Sequence, residues 1–390
     1  MWEYLNDVPY RIDSERQQVL VLFQNRLRRV NPGSKSYDLF LDHSANLNRD
    51  SARKVFQISP PLNAQLQITK GCNFACEFCY ASAIKGKHID TLDLETWNMI
   101  ISKLYDAGVA NIQYVGGEAF FRQDFPKMFA HAQSLGLSQT VITNSIIAGA
   151  QFPKFKEMLR NFAKIQVSMN GIETNYEKSV GARTWDKFLE AVRKIVEVNE
   201  NVWLSYVVTP ENIDEIPMAV TYASQLKVKG IRFGIIAPLG RAGVQDFNYF
   251  KILPDAEEKI SAARISSGGE LEFEIHFNPE LGNTDQLEPD SELRNRGEGQ
   301  NVVFINHEGD IFPFPLLELE ELKVGNILED DFAEIWQGSP ILKNLRNFDH
   351  LAVECKTCLT PCGLSSRSMT YLWTGSIESK LPCHRWGYLK

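Results

Sequence analysis

The sequence predicts an α/β protein: a partial (β/α)6 TIM-like barrel with a small N-terminal α+β appendage and a C-terminal extension. Three observations predict it. From about residue 64, short apolar runs alternate with amphipathic stretches, the apolar residues of those stretches recur at the helical period, and polar motifs follow directly after the apolar runs. Consecutive β/α units require parallel strands joined by right-handed crossovers. Such a sheet carries its chemistry at the strands' C-terminal ends.

Residues 1–62 form the appendage. Within it Tyr10–Ile12, Val19–Phe23 and Leu27–Val30 read as strands, Pro32-Gly33 as a turn and Tyr37–Leu41 as a short helix. Residues 63–278 are the barrel, with strands expected at Leu66–Thr69, Ile112–Val115, Thr140–Thr143, Ile165–Ser168, Leu204–Val208 and Ile231–Ile236. Between them, Trp97, Ile100, Ile101 and Leu104 fall on one helix face, as do Phe188, Val192, Ile195 and Val196. Gly108 stands where a helix C-cap belongs. After Gly268-Gly269 comes one more strand, Leu271–Phe277. Residues 279–390 make the extension, where a polar, acidic segment leads into a hairpin, Val302–Ile305 and Ile311–Phe314, turning at Glu308-Gly309.

Composition narrows the function. A chain of 390 residues, 44% hydrophobic and 23% charged, buries a full core. Its net charge of −8 is dispersed, and the basic run Arg26, Arg28, Arg29 is broken by Leu27, which argues against nucleic-acid binding. Met1 is followed by Trp2, Glu3 and Tyr4, without a cationic or apolar leader, and no long uncharged apolar stretch follows. A cytoplasmic protein away from membranes is expected. Seven cysteines in two tight groups, with none between Cys79 and Cys355, suit metal or cluster ligation better than disulfides.

The first group is Cys72-x3-Cys76-x2-Cys79 on the loop after the first barrel strand. Three thiolates on one loop can hold three irons of a [4Fe–4S] cubane and leave the fourth open. Structural zinc wants a closed set of four ligands, and no His or fourth Cys lies close by in sequence. Gly116-Gly117-Glu118 follows the second strand, Asn144 the third, and Ser168 ends the fourth. A glycine pair alone reads as a turn; its place after the second strand gives it weight.

The stretch Gly71 to Tyr80, and the chain over about residues 64 to 240, resembles the radical S-adenosylmethionine (SAM) superfamily. The resemblance implies that the open iron chelates the amino and carboxylate groups of SAM. One electron then splits SAM to a 5′-deoxyadenosyl radical that takes a hydrogen atom from substrate. Cys72, Cys76 and Cys79 become the catalytic cluster ligands, Phe78 packs near adenine, Gly116 and Gly117 allow close backbone approach, and Glu118 accepts from the SAM amino group. Asn144 and Ser168 stand where the family places contacts to ribose or carboxylate. Arg183, opening a helix at Thr184-Trp185, reads as a carboxylate partner or a solvated residue. Arg241, in Pro238-Leu239-Gly240-Arg241-Ala242, reads as a contact to substrate or SAM, or again as solvated.

The second group is Cys355-x2-Cys358-x3-Cys362 with Cys383 beyond it, a set suited to zinc or to a fully ligated cluster. Upstream, Gly309-Asp310-Ile311-Phe312-Pro313, Gly325-Asn326-Ile327 and a helix with Ile335-Trp336 resemble the SPASM and twitch extensions of radical SAM peptide maturases, which carry auxiliary clusters. A full SPASM pattern expects cysteines where this chain has Phe314 and Ser366. The resemblance therefore implies a single auxiliary [4Fe–4S] cluster on Cys355, Cys358, Cys362 and Cys383. His384 reads as a neighbour rather than a ligand.

The implied substrate is a ribosomal precursor peptide, leader plus core, with an external one-electron reductant such as flavodoxin or ferredoxin. Residues 1–62 read either as a leader-binding module working by strand addition or as a cap on the barrel. Oxidative cross-linking, backbone excision and epimerisation stay open, the last disfavoured because every cysteine is committed to a cluster. Radical dehydrogenation of a small molecule and a non-catalytic cluster or zinc protein are the other readings.

Overall fold

A computed structural model describes residues 60–244, 249–269, 271–277, 298–299, 301–346 and 367–377, with the backbone of four strands near the N-terminus. Those strands are β1 (Glu3–Leu5), β2 (Val8–Asp13), β3 (Gln18–Phe23) and β4 (Arg26–Val30), an antiparallel sheet in sequential order. β1 is an addition to the three strands expected. The helix expected at Tyr37–Leu41 lies outside the described residues.

The main sheet begins with β5 (Asn63–Gln67). A pair of two-residue strands, β6 (Gly71–Cys72) and β7 (Ile84–Lys85), then closes off the cysteine loop. The sheet continues with β8 (Asn111–Val115), β9 (Ser138–Thr143), β10 (Lys164–Ser168), β11 (Val202–Val208), β12 (Gly230–Ile235) and β13 (Glu272–Ile275), each parallel to its neighbour. On the other side of β5 lies β14 (Val302–Ile305), also parallel, followed by antiparallel β15 (Asp310–Phe312) and β16 (Gly325–Asn326). The order β13-β12-β11-β10-β9-β8-β5-β14-β15-β16 leaves the sheet open, as a partial barrel requires. The hairpin of β14 and β15 therefore extends the same sheet.

Alternation along the strands sorts the two faces. Leu66, Tyr114, Val141, Val167, Tyr206 and Phe233 are buried in one continuous core against the helices. Burying each such side chain contributes about 1.5–3 kcal/mol. The inner face instead carries Gln65, Gln67, Gln113, Gln166, Ser168, Ser205 and Arg232, together with a small apolar cluster of Val115, Phe304 and Phe312. A polar lumen is what an enzyme cavity needs.

The helices form as their periodicity requires. In Leu94–Asp106, Trp97, Ile100, Ile101 and Leu104 are all buried. Asp93 caps its start by accepting from Thr96 N at 2.8 Å. Its end closes through Gly108, at φ 92°, where Gly108 N donates to Tyr105 O and Val109 N to Leu104 O, the pair of bonds that a left-handed residue after a helix permits. In Trp185–Val196 the face of Phe188, Val192 and Ile195 is buried likewise. None of the described helices is long and apolar enough to cross a membrane.

Candidate active site

The cysteine loop is tied down along its length. Cys72 O accepts from Gly86 N at 2.8 Å and Lys70 O from Ile84 N at 2.8 Å, which sets β6 beside β7. Glu77 N donates to Ser179 O at 3.2 Å, anchoring the loop to the helix Glu173–Val180. Arg241 secures the far side. Its Nε donates to Cys76 O at 2.8 Å, its Nη1 to Ala83 O at 2.7 Å and its backbone N to Cys79 O at 3.0 Å. This arginine is half-buried and tied by three hydrogen bonds; it braces the loop.

Cys72, Cys76 and Cys79 are all free thiols. Desolvation pushes Cys72 and Cys76 up to about 12, reinforced at Cys72 by the charge of Glu118 and at Cys76 by Cys79 and only partly relieved there by Arg241. Such thiols hold their protons until a metal displaces them. Among the described residues no three or more His, Cys, Asp or Glu converge on one point as a single metal ion requires. Three soft donors on one braced loop match the ligand set that a [4Fe–4S] cubane with one open iron would need.

The glycine pair is needed by the polypeptide itself. A Cβ on Gly117 would lie 2.1 Å from Gly71 O, and one on Gly116 2.5 Å from Thr69 O. The turn packs so closely because Gly117 N donates to Thr69 O at 2.9 Å and Glu118 N to Gly71 O at 3.0 Å. Glycine here locks the second strand's end onto the cysteine loop.

Glu118 is 1% exposed. Its Oε1 accepts from Thr143 Oγ1 at 2.7 Å and Phe120 N at 3.2 Å, and its Oε2 from Asn144 N at 2.7 Å. Burial lifts its carboxyl from 4.5 to about 7, against the pull of these hydrogen bonds. Oε2 keeps one acceptor position in hand. Asn144 stands between this carboxylate and the cysteines: its Nδ2 donates to Asn73 Oδ1 at 2.9 Å and lies 4.0 Å from Cys72 Sγ. The next residue, Ser145, adopts the left-handed region at φ 68°, fully buried.

Phe78 packs with Val207, Ile236 and Ala242 at the ends of β11 and β12. Ser168 stands in register with Ser205, and Ser205 with Arg232, on the inner face. Arg183 is exposed ahead of the helix Trp185–Val196 and is not drawn into this constellation. Cys355, Cys358, Cys362, Cys383 and His384 lie outside the described residues.

Several groups at the site escape a reading of motifs. Arg232 donates through Nη1 to Gln166 Oε1 at 2.9 Å and also bonds His276, which meets Glu274 Oε1 at 3.1 Å. Tyr80, beside Cys79, is raised by burial and feels Cys79, Glu318 and Arg232. Glu318, raised by desolvation, faces Lys70 and comes from the segment after β15. His307, in the hairpin turn, bonds Gln67 Oε1 through Nδ1 at 3.0 Å, joining the turn to the first barrel strand. No local pattern announces these contacts, since each joins strands far apart in sequence.

Residues 66–223 match the family described as the radical SAM superfamily, and residues 297–359 match SPASM, an iron–sulfur cluster-binding domain. The chain is 28% identical over 305 residues to the sporulation killing factor maturation protein SkfB of Bacillus subtilis, covering 76% of this chain and 68% of that one. It is 23% identical over 319 residues to the PqqA peptide cyclase of Xanthomonas axonopodis pv. citri, covering 77% and 80%. Among solved structures, SuiB of Streptococcus suis bound to S-adenosylmethionine aligns with a TM-score of 0.74 at 16% identity, over 96% of this chain and 98% of that one. The fold is thus shared along nearly the whole chain.

Proposed function

Because the chain belongs to the radical SAM superfamily and carries a SPASM iron–sulfur domain, we propose that it matures a ribosomally made precursor peptide by oxidative cross-linking. As a radical SAM enzyme it works with a [4Fe–4S] cluster and SAM, and its SPASM region brings auxiliary iron–sulfur chemistry. The bound cluster supplies the electron that cleaves SAM to the hydrogen-abstracting radical. The chain's own residues do the rest. Cys72, Cys76 and Cys79 hold the cluster on a loop braced by Ser179 and Arg241. Glu118 and Asn144 present acceptor and donor beside it, Phe78 offers an aromatic face for adenine, and Ser168 lies on the lumen wall for ribose or carboxylate.

The observation that carries the peptide assignment is that relatives named a sporulation killing factor maturation protein and a PqqA peptide cyclase are each similar to about three quarters of the chain. Cross-linking is preferred over epimerisation because a return hydrogen needs a donor such as a free thiol. All seven cysteines of the sequence fall in the two ligand groups. In this reading residues 63–278 form the catalytic barrel, residues 279–390 carry one auxiliary cluster on Cys355, Cys358, Cys362 and Cys383, and residues 1–62 take up the leader by strand addition. An auxiliary cluster on those cysteines would offer an acceptor for the electron left after hydrogen abstraction, and a flavodoxin or ferredoxin would serve as the external reductant. Co-expression with candidate precursor peptides, followed by mass spectrometry, tests the assignment. A loss of two hydrogens supports cross-linking, an unchanged mass points to epimerisation, and loss of a residue-sized fragment to excision.

A further inference from the structure

Arg241 presents a donor that the polypeptide does not use. Nε and Nη1 are spent on Cys76 O and Ala83 O, while Nη2 is buried with no hydrogen-bond partner among the described residues. An unpaired buried guanidinium donor is unfavourable unless something outside the chain accepts from it. The placement of this side chain is over-determined. Gly240, at φ 62°, brings the backbone so near the loop that an added Cβ would lie 2.2 Å from Tyr80 O and 2.6 Å from Cys79 O. Arg241 N is then locked to Cys79 O at 3.0 Å. The guanidinium is thereby held against the segment between Cys76 and Ala83, with its charge felt at Cys76.

We propose that Arg241 is the cluster's positioning and tuning residue: two of its donors fix the cysteine loop, and the third, Nη2, hydrogen-bonds an anionic sulfur of the bound cluster. A fixed positive charge with a donor directed at cluster sulfur favours the reduced, more negative state, so it raises the reduction potential. Lysine has the charge but lacks the planar fork that serves three acceptors at once. The function assigned is independent of the substrate the enzyme modifies.

The test uses full-length, anaerobically reconstituted protein with R241K and R241Q. Iron content confirms loading, and the cluster whose EPR signal changes on adding SAM is titrated potentiometrically. R241K should stay close to the parent potential. R241Q, which retains a donor toward Cys76 O without the charge, should reduce at least tenfold less readily, a fall of 59 mV or more for one electron. Parent-like potentials in both fully loaded variants would overturn the proposal. So would equal falls in both, which would assign the effect to lost loop geometry; a folded R241K that takes up no iron at the loop would instead support the bracing role and leave R241Q to test the charge. A weakened SAM affinity at unchanged potential would hand Nη2 to the SAM carboxylate and refute the cluster contact.

Discussion

Replacing Gly117 by alanine is the most searching test of how the site is built. An added Cβ would sit 2.1 Å from Gly71 O, 2.6 Å from the Gly71 carbonyl carbon and 3.0 Å from Cys72 Cβ. Ordinary contact lies near ~3.5 Å, so the turn and the cysteine loop must separate by roughly 1 Å. None of the three atoms belongs to a flexible side-chain end that can swing away. Separation stretches the bonds Gly117 N to Thr69 O and Glu118 N to Gly71 O. Two hydrogen bonds at about 1 kcal/mol each, with overpacking strain of about 1–3 kcal/mol, give a loss of roughly 3–5 kcal/mol. If the loop yields instead of the fold, the misplacement falls on Cys72, and an error of ~1 Å lowers rate about 100-fold. Denaturant unfolding and deoxyadenosine production by reduced, reconstituted enzyme measure the two routes. Gly338→Ala, where a Cβ meets open space, is the control. A Gly117→Ala protein with both the parent midpoint and the parent rate of SAM cleavage would refute the close-packing argument.

Substituting Cys72, Cys76 and Cys79 together by alanine should abolish deoxyadenosine formation and remove about half of an iron content near eight, whereas four irons with one zinc would make the C-terminal site structural. Glu118 gives a pH signature. Its folded value is raised from 4.5 to about 7 by burial, so its stabilising contribution is complete below pH 4.5 and is lost as pH rises toward 7. Apo protein should lose stability over that window in denaturant titrations, and Glu118→Gln should flatten the slope; an identical slope in both would contradict the assignment. Deleting residues 1–59 should weaken binding of a precursor peptide while leaving uncoupled SAM cleavage intact. Unchanged peptide affinity would make the segment a cap.

Much of this was legible in the sequence because it is local. The C-x3-C-x2-C spacing, the helix face of Trp97 to Leu104 and the Gly108 cap all express periods of a few residues, and the structure realises the helix face and its cap. The first barrel strand runs over Asn63–Gln67, three residues ahead of the apolar stretch Leu66–Thr69 that predicts it. Its inner-face Asn63, Gln65 and Gln67 break the apolar run on which a strand reading depends. The brace formed by Arg241 was illegible for a different reason. Its acceptors are backbone carbonyls of Cys76 and Ala83, and a carbonyl has no letter in the sequence. Glu318, Tyr80 and Arg232 meet only because three distant segments converge.

The parallel seam between β5 and β14 has a consequence for the chain as it is synthesised. Asn63 must wait for Val302, some 240 residues later, before one side of the first barrel strand is covered. Until then that edge offers unpaired amides and carbonyls to any neighbouring nascent chain. Translation that stops short of β14 therefore leaves a barrel with a sticky flank, whatever the state of its cysteines. Contacts of such long sequence separation also form slowly. Heterologous production should accordingly gain more from slowed translation or lowered temperature than from iron supply alone, because the flank must close before the metal site matters.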